Sequence, residues 1–226
     1  MSMFSRTQKL VGDDGLQRLF ASKVLVVGVG GVGGYAVEML ARAGVGTLGI
    51  MDGDLVDITN KNRQIIALDS TVGIPKVEAF KARIRGINPN CNVLTFNERF
   101  SEGNAKVLDM EWDYIVDAID SFDDKVALIC LAKQKGIDII SAMGAGNRVE
   151  LCDFEICDIY KTSYDPLAKK LRKALKDRDI KSHDVCYTKT PTIPTSNGVG
   201  SVSYVPPLCG IKLAGYVITQ ILNKKY

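Results

Sequence analysis

The sequence predicts an α/β fold, doubly wound around a mostly parallel sheet, on three observations. Apolar, β-branched runs alternate with amphipathic helical patterns along most of the 226 residues. A glycine-rich turn, Gly28-Val-Gly-Gly-Val-Gly33, follows the first apolar run and opens a helical pattern. The next apolar run ends in a carboxylate, Asp52, 19 residues beyond Gly33, where such sheets place a residue facing a ribose. Together these define a Rossmann-like sheet with helices on both faces, followed by a C-terminal mixed extension.

Residues 1–22 precede the first strand. Leu10, Leu16 and Leu19, spaced through the polar stretch 7–20, predict one or two short helices packed on the body. Residues 24–29 read as a fully buried strand. Gly28, Gly30, Gly31 and Gly33 let the backbone turn sharply and approach a phosphate. The free N–H groups at the start of the helix over 35–43, which stops near Gly44, attract anions. With strand, turn, helix and Asp52 in agreement, a nucleotide site is favoured over a ligand-free tight turn. The polar stretch 53–64 then leaves the carboxyl end of a strand, where open α/β sheets bind ligands. It carries Arg63, whose planar fork suits phosphate. Pro75 opens the next helix, with Val77, Phe80, Ile84 and Ile87 as its buried stripe. Lys76 lies in that helix's first turn, where the macrodipole disfavours a cation, so a phosphate-directed role gains weight.

Residues 93–96 read as a short strand, 109–112 as a link, and 114–119 as a strand holding Asp117 inside it and Asp120-Ser121 at its tip. The tip position makes Asp120 the candidate ligand of a magnesium ion that travels with phosphates. Asp123 and Asp124 read as caps of the next helix, which turns Val126, Ile129, Cys130 and Ala132 inward. A strand over 137–141 and a turn over 143–146 follow. Alternation over 148–160 predicts one or two strands, and 165–175 is a basic amphipathic helix. Residues 191–200 read as a flexible loop, 198–205 as the approach to a strand, and 208–223 as a final apolar helix.

A hydrophobic content of 46% fits one domain with a proper core, and 24% charged residues exclude disordered and fibrous classes. The cysteines at 91, 130, 152, 157, 186 and 209 form no CxxC pair, which excludes zinc-knuckle and thioredoxin motifs. Unpaired cysteines without a signal-peptide pattern fit a reducing, cytoplasmic setting. Cys186, in a polar segment near His183, reads as a chance surface thiol. Cys209, at the entrance of the last helix, reads as a core thiol. His183, the only histidine, reads as a loop residue. Pro206, Pro207, Lys212 and Gln220 interrupt the apolar stretch 199–222, which argues against a membrane span. Residues 160–190 hold nine Lys/Arg against four Asp, while the rest of the chain holds 20 basic and 22 acidic residues. The positive excess therefore sits in one segment, either a solvated face or a nucleic-acid surface.

Gly28-x-Gly-Gly-x-Gly33, Asp52-x-Asp54, Asn60-x-Asn-Arg-Gln64, Lys76 and Asp120, taken in order, resemble the ThiF/MoeB-like adenylating superfamily, which includes the ubiquitin-activating enzymes. The resemblance implies ATP as cosubstrate, transfer of AMP to a carboxylate, and a homodimer. It implies that Gly28, Gly30, Gly31 and Gly33 pack on the nucleotide, with Asp52 at the ribose. Asn60, Arg63 and Lys76 would hold phosphates and Asp120 the Mg²⁺, with Asp54, Asn62, Gln64 and Ser121 completing the nucleotide site. Arg6 would be a second arginine, reaching a partner subunit's site.

Phe4-Ser-Arg6, residues 57–65, Asp117-Ala-Ile-Asp-Ser121 and Lys161-Thr-x-x-Asp-Pro-Leu-Ala-Lys169 are similar to the tRNA threonylcarbamoyladenosine dehydratase branch. That branch implies ATP-dependent cyclisation of a threonylcarbamoyl group on a tRNA adenosine, with residues 169–181 as countercharge to tRNA phosphates. A sulfur-transfer protein is a further candidate partner. The organisation expected is one adenylating domain: an N-terminal helical arm (1–22), a nucleotide-binding core (23–145) and a substrate and dimer extension (146–226). The alternative is an adenylyltransferase for the C-terminal glycine of a ubiquitin-like sulfur carrier, against which the missing CxxC zinc pairs count. A non-catalytic nucleotide scaffold is the third reading, and the intact Arg63, Lys76 and Asp120 oppose it.

Overall fold

In chain order the strands are β1 (Lys23–Val27), β2 (Thr47–Met51), β3 (Asn92–Phe96), β4 (Tyr114–Asp117), β5 (Ile139–Ala142), β6 (Phe154–Asp158) and β7 (Asp184–Thr188). The helices are α1 (Ser5–Ala21), α2 (Gly33–Ala43), α3 (Lys76–Ile87), α4 (Phe122–Gln134), α5 (Pro166–Lys176) and α6 (Val205–Asn223). This computed structural model describes residues 2–196 and 198–223. The strands form one sheet in the order β3-β2-β1-β4-β5-β7-β6, parallel except for the antiparallel β6–β7 pair. The order reverses between β1 and β4, the crevice where doubly wound sheets bind ligands.

The continuous apolar run of β1 is explained by burial on both faces. Val24 and Val26 join Val37, Leu40, Phe80 and Leu213 on the side covered by α2, α3 and α6. Leu25 and Val27 join Leu128, Ile129, Leu171 and Leu175 on the side covered by α4 and α5. The N-terminal arm is two helical pieces joined at Gly12, whose left-handed φ of 70° breaks the helix, and it packs on α6. In the last helix Cys209, Leu213, Ala214, Val217 and Ile221 are buried. By length and apolar composition α6 meets the requirement for a membrane span, but half of that apolar stretch is covered by the rest of the fold.

Several local expectations are corrected. Residues 198–204 form no strand, and Asn197, in the expected loop over 191–200, lies outside the described residues. Helix α6 begins at Val205, with Pro206 and Pro207 in its first turn, where the missing N–H groups have no intrahelical partner to lose. The seventh strand is Asp184–Thr188, hidden in the sequence because His183 before it and Asp184 at its start read as polar loop. A 3-10 turn over Glu102–Asp109 fills the approach to β4. Helix α4 is entered through Ser121, with no side-chain cap; Asp123 and Asp124 lie in its first turn and complement the dipole instead. Residues 148–160 yield the single strand β6 and a 3-10 turn at Ile159–Lys161.

Cys186 is not a surface thiol. It is fully buried on β7, and its Sγ lies 3.7 Å from that of the equally buried Cys209. The hydrogen bond to Cys186 and burial push the Cys209 thiol well above its ordinary range, which suits an inert core thiol. Nor is His183 an exposed loop residue. It is fully buried, with Nε2 2.8 Å from the Ser141 hydroxyl and its backbone N–H donating to Asp158 at 3.1 Å. Burial, reinforced by the charges of Lys133 and Lys125, lowers its pKa to about 3.

The folded protein therefore keeps His183 neutral, whereas the unfolded chain takes up a proton below about pH 6.5. The stability this contributes is complete above pH 6.5 and is lost as the pH falls towards 3. Urea unfolding at a series of pH values checks this: His183→Gln should flatten the decline between pH 6.5 and 4, and an unchanged slope would count against it.

Candidate functional site

A cleft of about 400 Å³ opens at the β1/β4 reversal, over the carboxyl ends of β1, β2 and β4. Its shape begins with two glycines. Gly28 has a left-handed φ of 83°, and a Cβ there would stand 2.6 Å from the Ala118 carbonyl oxygen. At Gly33 a Cβ would stand 1.8 Å from the Gly28 carbonyl oxygen. Gly33 therefore does not line the cleft; it lets the N-terminus of α2 fold down onto the turn, so that Gly28, Gly30 and Gly31 line it.

Asp52 stands just beyond β2. One carboxylate oxygen accepts the Val29 N–H at 2.9 Å, and the other accepts the Asp54 N–H at 2.9 Å. It thus fastens the glycine turn to the end of β2 as well as facing the cleft. Residues 54–56 and 74–76 then run antiparallel, with Val56 N–H donating to Ile74 O and Lys76 N–H donating to Asp54 O. That pairing delivers the Lys76 side chain to the cleft floor. Its Nζ lies 2.7 Å from Asp54 and 3.5 Å from Asp52. Arg99 donates to the other oxygen of Asp54 at 2.8 Å. The Lys76 hydrogen bond, reinforced by Arg99, lowers the Asp54 pKa against the opposing effect of burial.

The 57–64 stretch is fixed by its own polar groups. Asp57 accepts from Thr59 N–H at 2.8 Å, while Asn60 Oδ1 accepts from Asp57 N–H at 3.1 Å, a reciprocal cap of the 3-10 turn Ile58–Asn60. Arg63 leaves this turn half-buried, donating to Thr59 O at 3.1 Å and Asn62 Oδ1 at 2.9 Å. Asn60, Arg63 and Gln64 line the cleft. The Gln64 side-chain oxygen is buried without a hydrogen-bond partner among the described residues, an acceptor that a ligand's hydroxyl or amine would satisfy. Asn62 is placed differently from expectation: it points away, donating to Ser201 O at 3.0 Å, and so ties the 57–64 stretch to the segment before α6.

Asp120 and Ser121 line the cleft from the tip of β4, and Asp120 is exposed there. Beneath them Asp117 accepts the Ile119 N–H at 3.0 Å through one oxygen and pairs with Lys125 Nζ at 2.7 Å through the other; both side chains are fully buried. This pair braces the turn that presents Asp120. Asp124 joins the lining from the first turn of α4. Arg6 lies exposed on α1 and is not part of its own chain's cleft. The sequence does not single out Arg99, Phe100 or Lys125, and it marks Asp117 only as a strand and motif residue and Asp124 only as a helix cap. Residues 97–100 follow the carboxyl end of β3, so the strand-end rule that singled out 53–64 would also have found Arg99 and Phe100.

The cleft can hold a polyanion against backbone N–H groups, Arg63 and Lys76. Its donor set also suits magnesium. No cluster of three or more metal-binding side chains occurs among the described residues. Magnesium in general needs only one or two carboxylates, completed by water and substrate phosphates, and Asp120 and Asp124, which both line the cleft, are the residues that would hold it.

The ThiF family model matches residues 4–225. The tRNA threonylcarbamoyladenosine dehydratase of Bacillus subtilis (strain 168) is 37% identical over 247 residues, covering 99% of this chain and 96% of that protein. The crystal structure of the Escherichia coli tRNA N6-threonylcarbamoyladenosine dehydratase, TcdA, in complex with ATP superposes with a TM-score of 0.92 at 33% identity, over 97% of this chain and 93% of that one. The same enzyme in complex with AMP gives a TM-score of 0.92 at 34% identity, over 97% and 94%.

The brace beneath the cleft makes its own prediction. Lys125→Met leaves the Asp117 charge buried alone and should cost about 3–5 kcal/mol in urea unfolding. The double substitution Asp117→Asn with Lys125→Met should recover most of that loss, and a double variant no more stable than the single one would show that the pair is not the cause.

Proposed function

Because the chain belongs to the ThiF family, we infer that it is an ATP-dependent tRNA threonylcarbamoyladenosine dehydratase, which adenylates the threonyl carboxylate of the modified adenosine and cyclises it with release of AMP. The observation that carries this reading is a cleft at the sheet's reversal point presenting Arg63, Lys76 and Asp120, in a chain similar to a dehydratase over almost its whole length.

The glycine turn and the N-terminus of α2 receive the phosphates. Asp52 holds that turn and, with its remaining lone pairs, meets the ribose, while Gln64 accepts a hydrogen bond from the nucleotide. The substrate carboxylate attacks the α-phosphorus in line. A phosphorus–oxygen bond forms to the carboxylate and the bond to pyrophosphate breaks. Negative charge gathers on the α-phosphate and leaving group, where Lys76 and Arg63 stand ready to stabilise it. Asp54 holds Lys76 in place before ATP arrives, so little reorganisation is needed. Asp120 and Asp124 would hold Mg²⁺, which neutralises phosphate charge when bound. An internal nucleophile of the modification then attacks the acyl carbon and expels AMP, which carries away one carboxylate oxygen. The nucleoside has lost one water.

The same reading makes the enzyme a cytoplasmic homodimer in which Arg6 completes the partner's cleft. The exposure of Arg6 outside its own cleft supports that role. Its tRNA partner is engaged by the basic segment around α5.

Purified protein, ATP and tRNA bearing threonylcarbamoyladenosine should give a nucleoside lighter by one water, with AMP, in mass spectrometry. Asp120→Ala should lower turnover by at least about a hundredfold with an unchanged melting temperature; retained turnover would remove Asp120 from the mechanism. Unaltered tRNA together with pyrophosphate exchange stimulated by a carrier protein ending in Gly-Gly would move the protein to the sulfur-carrier function.

A further inference from the structure

We propose that Tyr164 and the exposed lysines of α5 form the tRNA-docking rim of the cleft, with the Tyr164 ring as the stacking platform for an unpaired base next to the modified adenosine. This rests on the dehydratase reading.

Tyr164 is 85% exposed and holds a left-handed backbone, φ 59°, which a bulky residue rarely adopts. The conformation is imposed from both sides. Before it, Arg172 donates to the Thr162 carbonyl at 2.9 Å. After it, Asp165 caps α5 through the Ala168 N–H at 2.8 Å and pairs with buried Arg148 at 3.4 Å. The chain thus maintains strain at a position where the side chain is largely exposed to solvent, a pattern typical of functional sites.

Its location fits. Arg148 also donates to the Gly144 carbonyl at 2.7 Å, which fixes the start of α5 against the residues leaving β5. β5 pairs in register with β4, Asp117 opposite Ser141, so Tyr164 stands on the same edge of the sheet as Asp120. Helix α5 also touches the start of α4 through Lys170, whose Nζ lies 3.7 Å from the centre of the Phe122 ring, one residue beyond the cleft-lining Ser121.

The charge fits as well. Helix α5 carries five Lys/Arg and no acidic residue. Lys169, Lys173 and Lys176 share one face, about 4.5–6 Å apart along the axis, and none has an ion-pair partner among the described residues. Lys169 and Lys170 also sit near the helix N-terminus, where a cation does nothing for the helix. Unpaired cations beside an exposed aromatic are the elements by which proteins hold single-stranded RNA, phosphates on the lysines and a base on the ring. A base whose carboxylate must enter the cleft cannot be paired, which frees its neighbour to stack.

The test is equilibrium binding of tRNA over a range of salt, with the ATP dissociation constant and melting temperature measured for each variant. Tyr164→Gly relieves the left-handed strain, so it should fold at least as stably as the parent and bind ATP equally, yet bind tRNA at least about tenfold more weakly at every salt. Tyr164→Trp should restore binding. Replacing Lys169, Lys173 and Lys176 with Gln should lower the slope of log affinity against log salt by about two. Tyr164→Gly binding tRNA within twofold of the parent overturns the proposal, and so does a triple variant with the parental slope. Dehydration of the tRNA by the parent is followed separately, so a failure of the reaction appears there, whereas the rim is judged from the binding ratios.

Discussion

Between the Gly28 carbonyl oxygen and the α-carbon of Gly33 there is no room for a side chain, and the rest of the site depends on that approach. It brings the N-terminus of α2 down onto the end of β1. The free N–H groups of the turn and helix then face the gap opened where the strand order reverses. Asp52 secures the same turn from β2 by accepting the Val29 N–H, so two elements of secondary structure agree on where an anion would lie.

Around that anchor the charged groups are held before any ligand arrives. Lys76 is almost fully buried, a state that is costly for a cation unless it is paired, and Asp54 and Asp52 provide the pairing. Asp54 is shared with Arg99, and the Lys76 hydrogen bond, reinforced by Arg99, lowers its pKa against the effect of burial. Asp117 and Lys125 pair likewise in the core, and through the Ile119 N–H they fix the turn bearing Asp120. A site built this way needs little rearrangement when charge develops during the reaction, the condition under which electrostatic stabilisation is most effective.

The far side of the sheet shows the same economy of polar contacts. Arg148, buried, joins the carbonyls of Gly144, Gly146 and Thr190 to the Asp165 cap of α5. Asn147, at φ 55°, accepts from Ile193 N–H and exchanges hydrogen bonds with Gly200, which fixes both ends of the 193–200 segment. Asn62 reaches Ser201 from the nucleotide side. Gly200 and Ser201, just before α6, are thus held by hydrogen bonds to the side chains of Asn147, in the turn after β5, and of Asn62, in the 57–64 stretch.

The sequence by itself determined the doubly wound sheet, the glycine turn, and the places of Asp52, Arg63, Lys76 and Asp120. Each follows from local rules: period, a strand's end, a helix's first turn. It also carried the basic helix, because Asp165, Pro166 and the spaced leucines mark it directly. What only the tertiary structure decided was which polar residues meet across long intervals of chain. His183 and Cys186 read as loop because a short strand flanked by polar residues has no alternation to show, yet β7 is inserted between β5 and β6, which buries Cys186 within it and His183 at its start. Arg99 reaches Asp54 across 45 residues, and Asn62 turns towards Ser201 rather than the cleft. Arg6 was placed in an active site by resemblance, but within one chain it lies on the outside of α1. The physical reason is the same throughout: backbone geometry is local and periodic, whereas the choice of partner for a charge or an amide depends on which surfaces the packed core brings together.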